Sequence, residues 1–258
     1  MQSPGIKLLN FLFTIIFVSG ISVSCNKVLD NSVAGTNFYQ PGSSGYTAVD
    51  SSAIECIDPY KEKLNTEMNQ VLVYSVSSLE KGKPESKLGN MVADACLYIA
   101  SEKYISSDGK GIDFCILNNG GLRSSLPEGA ITKKNIFELM PFENVLVVLT
   151  LNGTSLNKLL EYISSSGGVP VSGIRLKISN GNYETVEIRN QPFDSLKTFK
   201  VVTSDYLAKG GDAMKMFEEK INSEKINIKV RDAIMLYLTG ITSKNEKLNM
   251  QLDGRISE

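Results

Sequence analysis

The stretch DFCILNNGGLRSSLPEG, residues 113–129, joins a short apolar run to two asparagines, two glycines and an arginine. The apolar run predicts a buried strand, and the glycines predict a turn directly after it. Gly120 and Gly121 leave backbone N–H groups open to a ligand and can take a positive φ at little cost. Arg123 can direct a planar fork of donors at a carboxylate or phosphate. The same letters also fit an ordinary tight turn with a surface arginine.

Helix and strand patterns alternate on both sides of this turn. Predicted strands cover 71–76, 113–118, 144–153, 173–179, 184–190 and 198–208, and predicted helices cover 87–104, 133–140, 154–165, 214–222 and 229–239. Thr154 is the expected N-cap of the third helix. Three strands in succession exclude a purely parallel sheet, which needs a crossover between each pair. The sequence therefore predicts an α+β (mixed α/β) domain in which helices flank a mixed sheet.

The N-terminus has the pattern of an export signal. Lys7 precedes an apolar segment that is shorter than a typical transmembrane helix and that ends at Cys25. We expect residues 1–24 to be a signal peptide and Cys25 to be lipidated, because the residues around it resemble a bacterial lipobox. The expected location is the bacterial cell envelope, periplasmic or at the cell surface. Ser22 stands where leucine is usual, so a plain secreted protein or a signal anchor stays open.

Residues 25–53 are expected to be a lipid-anchored flexible tether, because they are rich in Ser, Gly, Asn and Thr and lack a sustained apolar period. Residues 54–258 are long enough for one well-buried domain and short for two. The formal net charge is -1 and no basic tract occurs, so the composition argues against a nucleic acid polymer as partner.

The metal-binding residue types are scarce. The chain has no histidine, and apart from Cys25 its cysteines are Cys56, Cys96 and Cys115, without a Cys-x-x-Cys pair. A zinc site is therefore improbable, and no metal site is predicted on this chain. Cys96 and Cys115 lie in apolar contexts, where a free thiol behaves as a small hydrophobic group, although a disulfide between them is also possible.

Two further motifs can carry ligand contacts. Phe142, in PFEN at 141–144, can stack on a flat ligand, and DYLAKGGDAM at 205–214 offers Tyr206 and Asp212 around a glycine pair. Taken alone, the first motif also fits a core aromatic beside a helix-ending proline, and the second also fits a plain turn.

The order and spacing of seven blocks resemble the C-terminal, substrate-binding domain of the family of 5′-nucleotidases, UDP-sugar hydrolases and 2′,3′-cyclic-nucleotide phosphodiesterases. The resemblance runs from about residue 70 to the C-terminus. The blocks are ESKLGNMVADA, ILNNGGLR, ITKKNIFELMPFEN, LVVLTLNGTSLNKLLEY, VSGIRLKI, VVTSDYLAKGGDAM and GRI.

The resemblance implies a role for each residue of the candidate site. Asn118 contacts the base or its surroundings, Gly120 and Gly121 approach the ligand closely, and Arg123 binds the substrate. The other implied substrate-binding residues are Phe142 and Tyr206, which stack on the two faces of the base, and Asp212, which bonds the ribose hydroxyls. The implied ligand is a nucleotide or nucleoside, with adenine favoured.

Several positions depart from the family. Pro84 stands where many relatives have an arginine that helps to hold the substrate. Lys81 or Lys83 can reach the same anion, but neither reproduces the bidentate fork of an arginine. Asn119 replaces one glycine of the glycine run, and Ala213 and Met214 replace the usual Gly and Phe. These changes weaken the expected phosphate contacts while the stacking positions are kept.

In the family, two divalent metal ions lie on an N-terminal metallophosphoesterase domain. No histidine is available here, and nothing before residue 70 is expected to form a second domain, so we expect no catalytic residue and no cofactor on this chain. One interpretation is the substrate-binding half of a split 5′-nucleotidase, whose two metal ions lie on a separately encoded metallophosphoesterase chain. The alternatives are a stand-alone nucleotide-binding module and a scaffold lipoprotein without catalysis.

Overall fold

The computed structural model describes residues 51–258, so the predicted signal peptide, Cys25 and the tether up to residue 50 lie outside the described residues. The helices are α1 (Ser51–Met68), α2 (Lys87–Lys103), α3 (Lys133–Leu139), α4 (Gly153–Ser165) and α5 (Val230–Ser243). The strands are β1 (Val71–Ser75), β2 (Phe114–Ile116), β3 (Gly129–Thr132), β4 (Val145–Asn152), β5 (Val171–Ser172), β6 (Ile174–Ser179), β7 (Asn182–Ile188), β8 (Gln191–Pro192), β9 (Thr198–Ser204), β10 (Asn222–Lys229) and β11 (Ile256–Ser257). Residues Glu55–Glu258 form one compact unit. Within 51–258, none of the helices combines the length and the apolar character that crossing a membrane requires.

The strands form mixed sheets, which confirms the predicted fold class. A five-stranded sheet has the order β10-β4-β9-β2-β5, in which only the β2–β9 pair is parallel. A four-stranded sheet has the order β11-β6-β7-β8, and β1 pairs antiparallel with β3. The long β4–β9 pairing holds the centre of the larger sheet.

The central strands of the five-stranded sheet are buried on both faces, as β4 illustrates. Leu146 and Val148 belong to a core shared with α2 and α5, whereas Val147 and Leu149 belong to a core shared with α4 and the four-stranded sheet. Successive side chains of a strand point to opposite faces, so an almost continuous apolar run fits a strand that is covered on both sides.

Two local expectations are wrong. The N-cap of α4 is Asn152, whose side chain accepts a hydrogen bond of 2.8 Å from the backbone N–H of Ser155, so Thr154 lies inside the helix. The predicted helix at 214–222 is a short 3₁₀ turn, Lys215–Glu219, followed by β10. Strand β10 forms because its backbone pairs with β4, a long-range contact that its polar sequence does not reveal.

Helix α2 and the C-terminal segment are joined by a charged cluster. The guanidinium of Arg255 donates to Asp94 at 2.7 Å, to Asp253 at 2.9 Å and to the backbone oxygen of Val171 at 2.9 Å. Glu85 accepts from the backbone N–H groups of Asp253 and Gly254 at 2.9 and 3.0 Å. These bonds compensate for the burial of Arg255, which is 9% exposed.

Candidate functional site

Three loops meet at one edge of the five-stranded sheet. They are the turn Asn118–Arg123 after β2, the loop Pro141–Asn144 before β4, and the segment Asp205–Ala213 after β9. Strands β2 and β9 are parallel, so their carboxyl ends lie at the same edge, and β4 is antiparallel to β9, so its beginning lies there too. The topology therefore brings together motifs that are nearly 100 residues apart in sequence.

The loops enclose a cavity of about 340 Å³. All seven residues predicted for the site line this cavity, and Asn144 lines it as well: Asn118, Gly120, Gly121, Arg123, Phe142, Tyr206 and Asp212. Asn144 belongs to the PFEN motif, although it is not among the residues predicted for the site. Its position two residues after Phe142 on the same loop was the available signal.

The carboxylate of Asp212 is held in a fixed orientation. The side-chain amide of Asn118 donates to Oδ2, and the hydroxyl of Tyr206 donates to Oδ1 at 3.1 Å. The hydroxyl of Tyr162 donates to the backbone oxygen of Asp212 at 2.8 Å, which supports a backbone φ of 50°. Burial, and next the nearby charge of Asp212, raise the pKa of Tyr162, so this hydroxyl stays protonated and can donate.

Neighbouring side chains approach the glycines of the site closely. A Cβ on Gly120 would lie 3.2 Å from Oδ2 of Asp212, and a Cβ on Gly121 would lie 2.9 Å from Oδ1 of Asn118. Both glycines lie in a 3₁₀ turn without a positive φ, so the turn does not use the backbone freedom that glycine offers there. In the Gly-Gly pair after Tyr206, Gly210 has a φ of 84°, and a Cβ on Gly211 would lie 2.5 Å from the ring of Tyr206.

Two aromatic rings and one guanidinium face solvent at the cavity. Phe142 is 41% exposed and Tyr206 is 45% exposed, which is high for rings beside a well-packed core. Arg123 is also exposed, and its Nη1 lies 3.4 Å from the backbone oxygen of Gly120. In the described part of the chain, Arg123 forms no ion pair, so its charge is available to an anion.

The structure accounts for Asn119 and shows what Lys83 contacts. Asn119 turns away from the cavity and donates to the backbone oxygen of Gly168 at 3.2 Å, which ties the turn to the loop after α4. Lys83 donates to the backbone oxygen of Ser166 and does not line the cavity, so it does not replace the family arginine at position 84.

The cavity does not fit a two-metal centre. Asp212 supplies its only carboxylate, whereas hard divalent cations take several oxygen ligands. Within residues 51–258, no group of three or more His, Cys, Asp or Glu side chains is placed to hold a metal ion.

An open cavity with two exposed rings, an oriented carboxylate and an exposed guanidinium is the candidate ligand site of this α+β domain. The chain belongs to the family described as 5′-nucleotidase, C-terminal domain, whose model matches residues 66–219. The match includes every residue predicted for the ligand site.

Known proteins of this kind resemble the chain over most of its length. It is 25% identical to a trifunctional nucleotide phosphoesterase of Bacillus subtilis, over 83% of the chain and 15% of that protein. It is 26% identical to a 5′-nucleotidase of Vibrio cholerae, over 63% of the chain and 30% of that protein. A solved 5′-nucleotidase precursor from Thermus thermophilus superimposes with a TM-score of 0.66 and 27% identity, over 81% of the chain and 43% of that structure. The chain thus spans less than a third of the two curated relatives and less than half of the solved structure.

Proposed function

We propose that this domain binds a nucleotide or nucleoside, with adenine favoured, and acts as the substrate-binding half of a split 5′-nucleotidase. The observation that carries the proposal is the convergence of Phe142, Tyr206 and Asp212 on one cavity that Arg123 also lines. Stacking contributes about 1–3 kcal/mol per base–ring contact. Each carboxylate oxygen has two lone pairs, so Asp212 can accept from ribose hydroxyls while it keeps its bonds to Asn118 and Tyr206.

The proposed catalytic half is a separately encoded metallophosphoesterase chain that carries two divalent metal ions. Such ions stabilise the attacking and leaving oxygens of a phosphoester, and histidines commonly bind them. The 258 residues printed here include no histidine, which supports placing the metals on the partner. The role of this chain is to bind the substrate and to present its phosphate to that centre, with Arg123 on the phosphate side.

Calorimetry and a mixing assay test the two parts of the proposal. Adenosine, AMP and a UDP-sugar are titrated into the purified chain and into Phe142→Ala, and the variant should bind about 5- to 150-fold more weakly. AMP hydrolysis is then measured with the chain alone, the partner alone and the mixture. We expect rapid hydrolysis only in the mixture. Metal-dependent hydrolysis by the chain alone, with contaminating phosphatase excluded, would contradict the split enzyme.

A stand-alone nucleotide-binding module is the second candidate. The hydrogen bond from Lys83 to Ser166 favours it, because Lys83 is then not free to replace the family arginine at Pro84 on the phosphate side. AMP binding without any gain of hydrolysis in the mixture would support this candidate over the split enzyme.

Export and lipid attachment at Cys25 are part of the proposal, and the sequence pattern around that residue supports them. Cys25→Ser should release the protein from the membrane fraction or leave an uncleaved precursor, because the single site of lipid attachment is lost. Cys56→Ser is the matched control and should leave the protein in the membrane fraction. A correctly processed, membrane-bound Cys25→Ser protein would show that the lipobox interpretation is wrong.

A further inference from the structure

The loop that presents Phe142 is tied down by charges outside the ligand cavity. Glu143, the next residue, pairs through Oε1 with the guanidinium of Arg231 and through Oε2 with the ammonium of Lys229. Both cations stand at the junction of β10 and α5. The carboxylate of Glu143 therefore joins the loop to a second element of the fold.

Arg231 is the buried member of this group. Its side chain is only 6% exposed, and its guanidinium lies 4.0 Å from the centre of the Phe137 ring on α3. Its Nη1 also lies 3.4 Å from the backbone oxygen of Met140, at the end of α3. A buried guanidinium requires such partners, because leaving it unpaired would be costly.

The same junction holds the other end of the loop. The backbone N–H of Val230 donates to the backbone oxygen of Asn144 at 2.9 Å. One residue further on, the backbone N–H of Val145 donates to the carboxylate of Asp205 at 3.1 Å, and Asp205 precedes Tyr206. The loop is thus fixed at Met140, Glu143 and Asn144, and its end is bonded to the segment that carries the second ring.

We propose that Arg231 is a positioning residue of the ligand site, which acts through Glu143 and the backbone of Met140 to fix the loop that carries Phe142. Its effect on ligand affinity rests on the proposed function, whereas its effect on the loop does not. The pairing converts a short solvent-facing loop into a rigid support for an exposed ring.

A fluorescence experiment tests the loop without any ligand. The chain contains no tryptophan, so Phe142→Trp introduces a single tryptophan at the ring position, whose emission can be excited selectively over that of the ten tyrosines. Acrylamide quenching is measured in this background with and without Glu143→Gln, a change at a side chain that is 62% exposed and should not prevent folding. We expect the quenching constant to rise about twofold, because two ion pairs are weakened. The matched control is Glu184→Gln, which removes a comparable exposed pair with Lys177 on the β6–β7 hairpin and should change nothing at residue 142.

Adenosine binding then distinguishes the inference from the proposed function. In the wild-type background, Glu143→Gln and Arg231→Lys should each weaken adenosine binding by roughly three- to tenfold, and the double variant should lose less than the product of the two. Circular dichroism and the urea midpoint show whether each variant is folded. Unchanged quenching in Glu143→Gln, or an effect equal to that of Glu184→Gln, would overturn the positioning role. Increased quenching together with absent adenosine binding by the wild-type chain would leave the positioning role intact and contradict the proposed ligand.

Discussion

Gly211→Ala should displace the Tyr206 ring from the cavity without unfolding the domain. An added Cβ would lie 2.5, 2.6 and 2.8 Å from three atoms of that ring, closer than non-bonded carbon atoms approach. Gly211 does not take a positive φ, so the added methyl group displaces the ring and does not strain the backbone. The ring is 45% exposed and can swing into solvent, which removes one stacking face and its hydroxyl contact with Asp212.

Losing one stacked ring should cost about 1–3 kcal/mol of binding free energy, or about 5- to 150-fold in the Kd for AMP. The assay is isothermal titration calorimetry, with the urea midpoint as the measure of stability. Gly240→Ala is the matched control: outside its own helix backbone, this glycine has no heavy atom within 4 Å of the added Cβ, so AMP binding should not change. The control should also raise the free energy of unfolding by up to about 1 kcal/mol. Wild-type affinity in Gly211→Ala would refute the assignment of Tyr206 as a stacking platform.

Three other predictions concern the phosphate side, the thiols and the loop charge. Arg123→Ala should lower the kcat/KM of the mixed enzyme by roughly tenfold or more, while gel filtration shows unchanged assembly. Wild-type kinetics in this variant would show that NNGGLR is an ordinary turn without a role in substrate binding. Iodoacetamide should label the exposed Cys56 in the native chain and spare Cys96 and Cys115, which are fully buried. Burial also raises the pKa of the Cys115 thiol, which lowers its reactivity further. Equal labelling of all three cysteines would contradict this packing. The contacts of Lys229, and next of Arg231, lower the pKa of Glu143 from its ordinary 4.5 to about 2, so this carboxylate contributes fully to stability above pH 4.5 and loses the contribution as the pH falls toward 2. The difference in urea midpoint between wild type and Glu143→Gln should accordingly shrink below pH 4.5, and a difference independent of pH would count against the ion pairs.

The sequence predicts the strands on which the site stands but not their arrangement. The apolar runs around Phe114 and Val201 identify β2 and β9 by composition, whereas their parallel pairing is a long-range contact that no local pattern encodes. That pairing brings Asn118 within hydrogen-bond distance of Asp212. The resemblance to a known family supplied the grouping of the seven site residues, since each motif alone also fits an ordinary turn or core residue.

Local sequence patterns mispredict the structure where two neighbouring residues can fill the same role, or where a contact with a residue distant in sequence determines the conformation. Asparagine and threonine are both common N-cap residues. In the structure Asn152 has the extended backbone of an N-cap, and α4 begins directly after it. β10 carries only Ile226 and Ile228 as apolar residues, so its pairing with β4 outweighs its weak pattern. The sequence makes Lys83 a candidate for an anion contact, but its ammonium donates a hydrogen bond to a backbone oxygen 83 residues away in sequence.

A crystal structure of the chain with AMP tests the central claim most directly. The account predicts that the adenine ring lies between Phe142 and Tyr206, that the ribose hydroxyls lie within hydrogen-bond distance of Asp212, and that the phosphate lies on the side of Arg123. Binding of AMP in solution with the base outside this cavity, or with both rings turned away from it, would contradict the account.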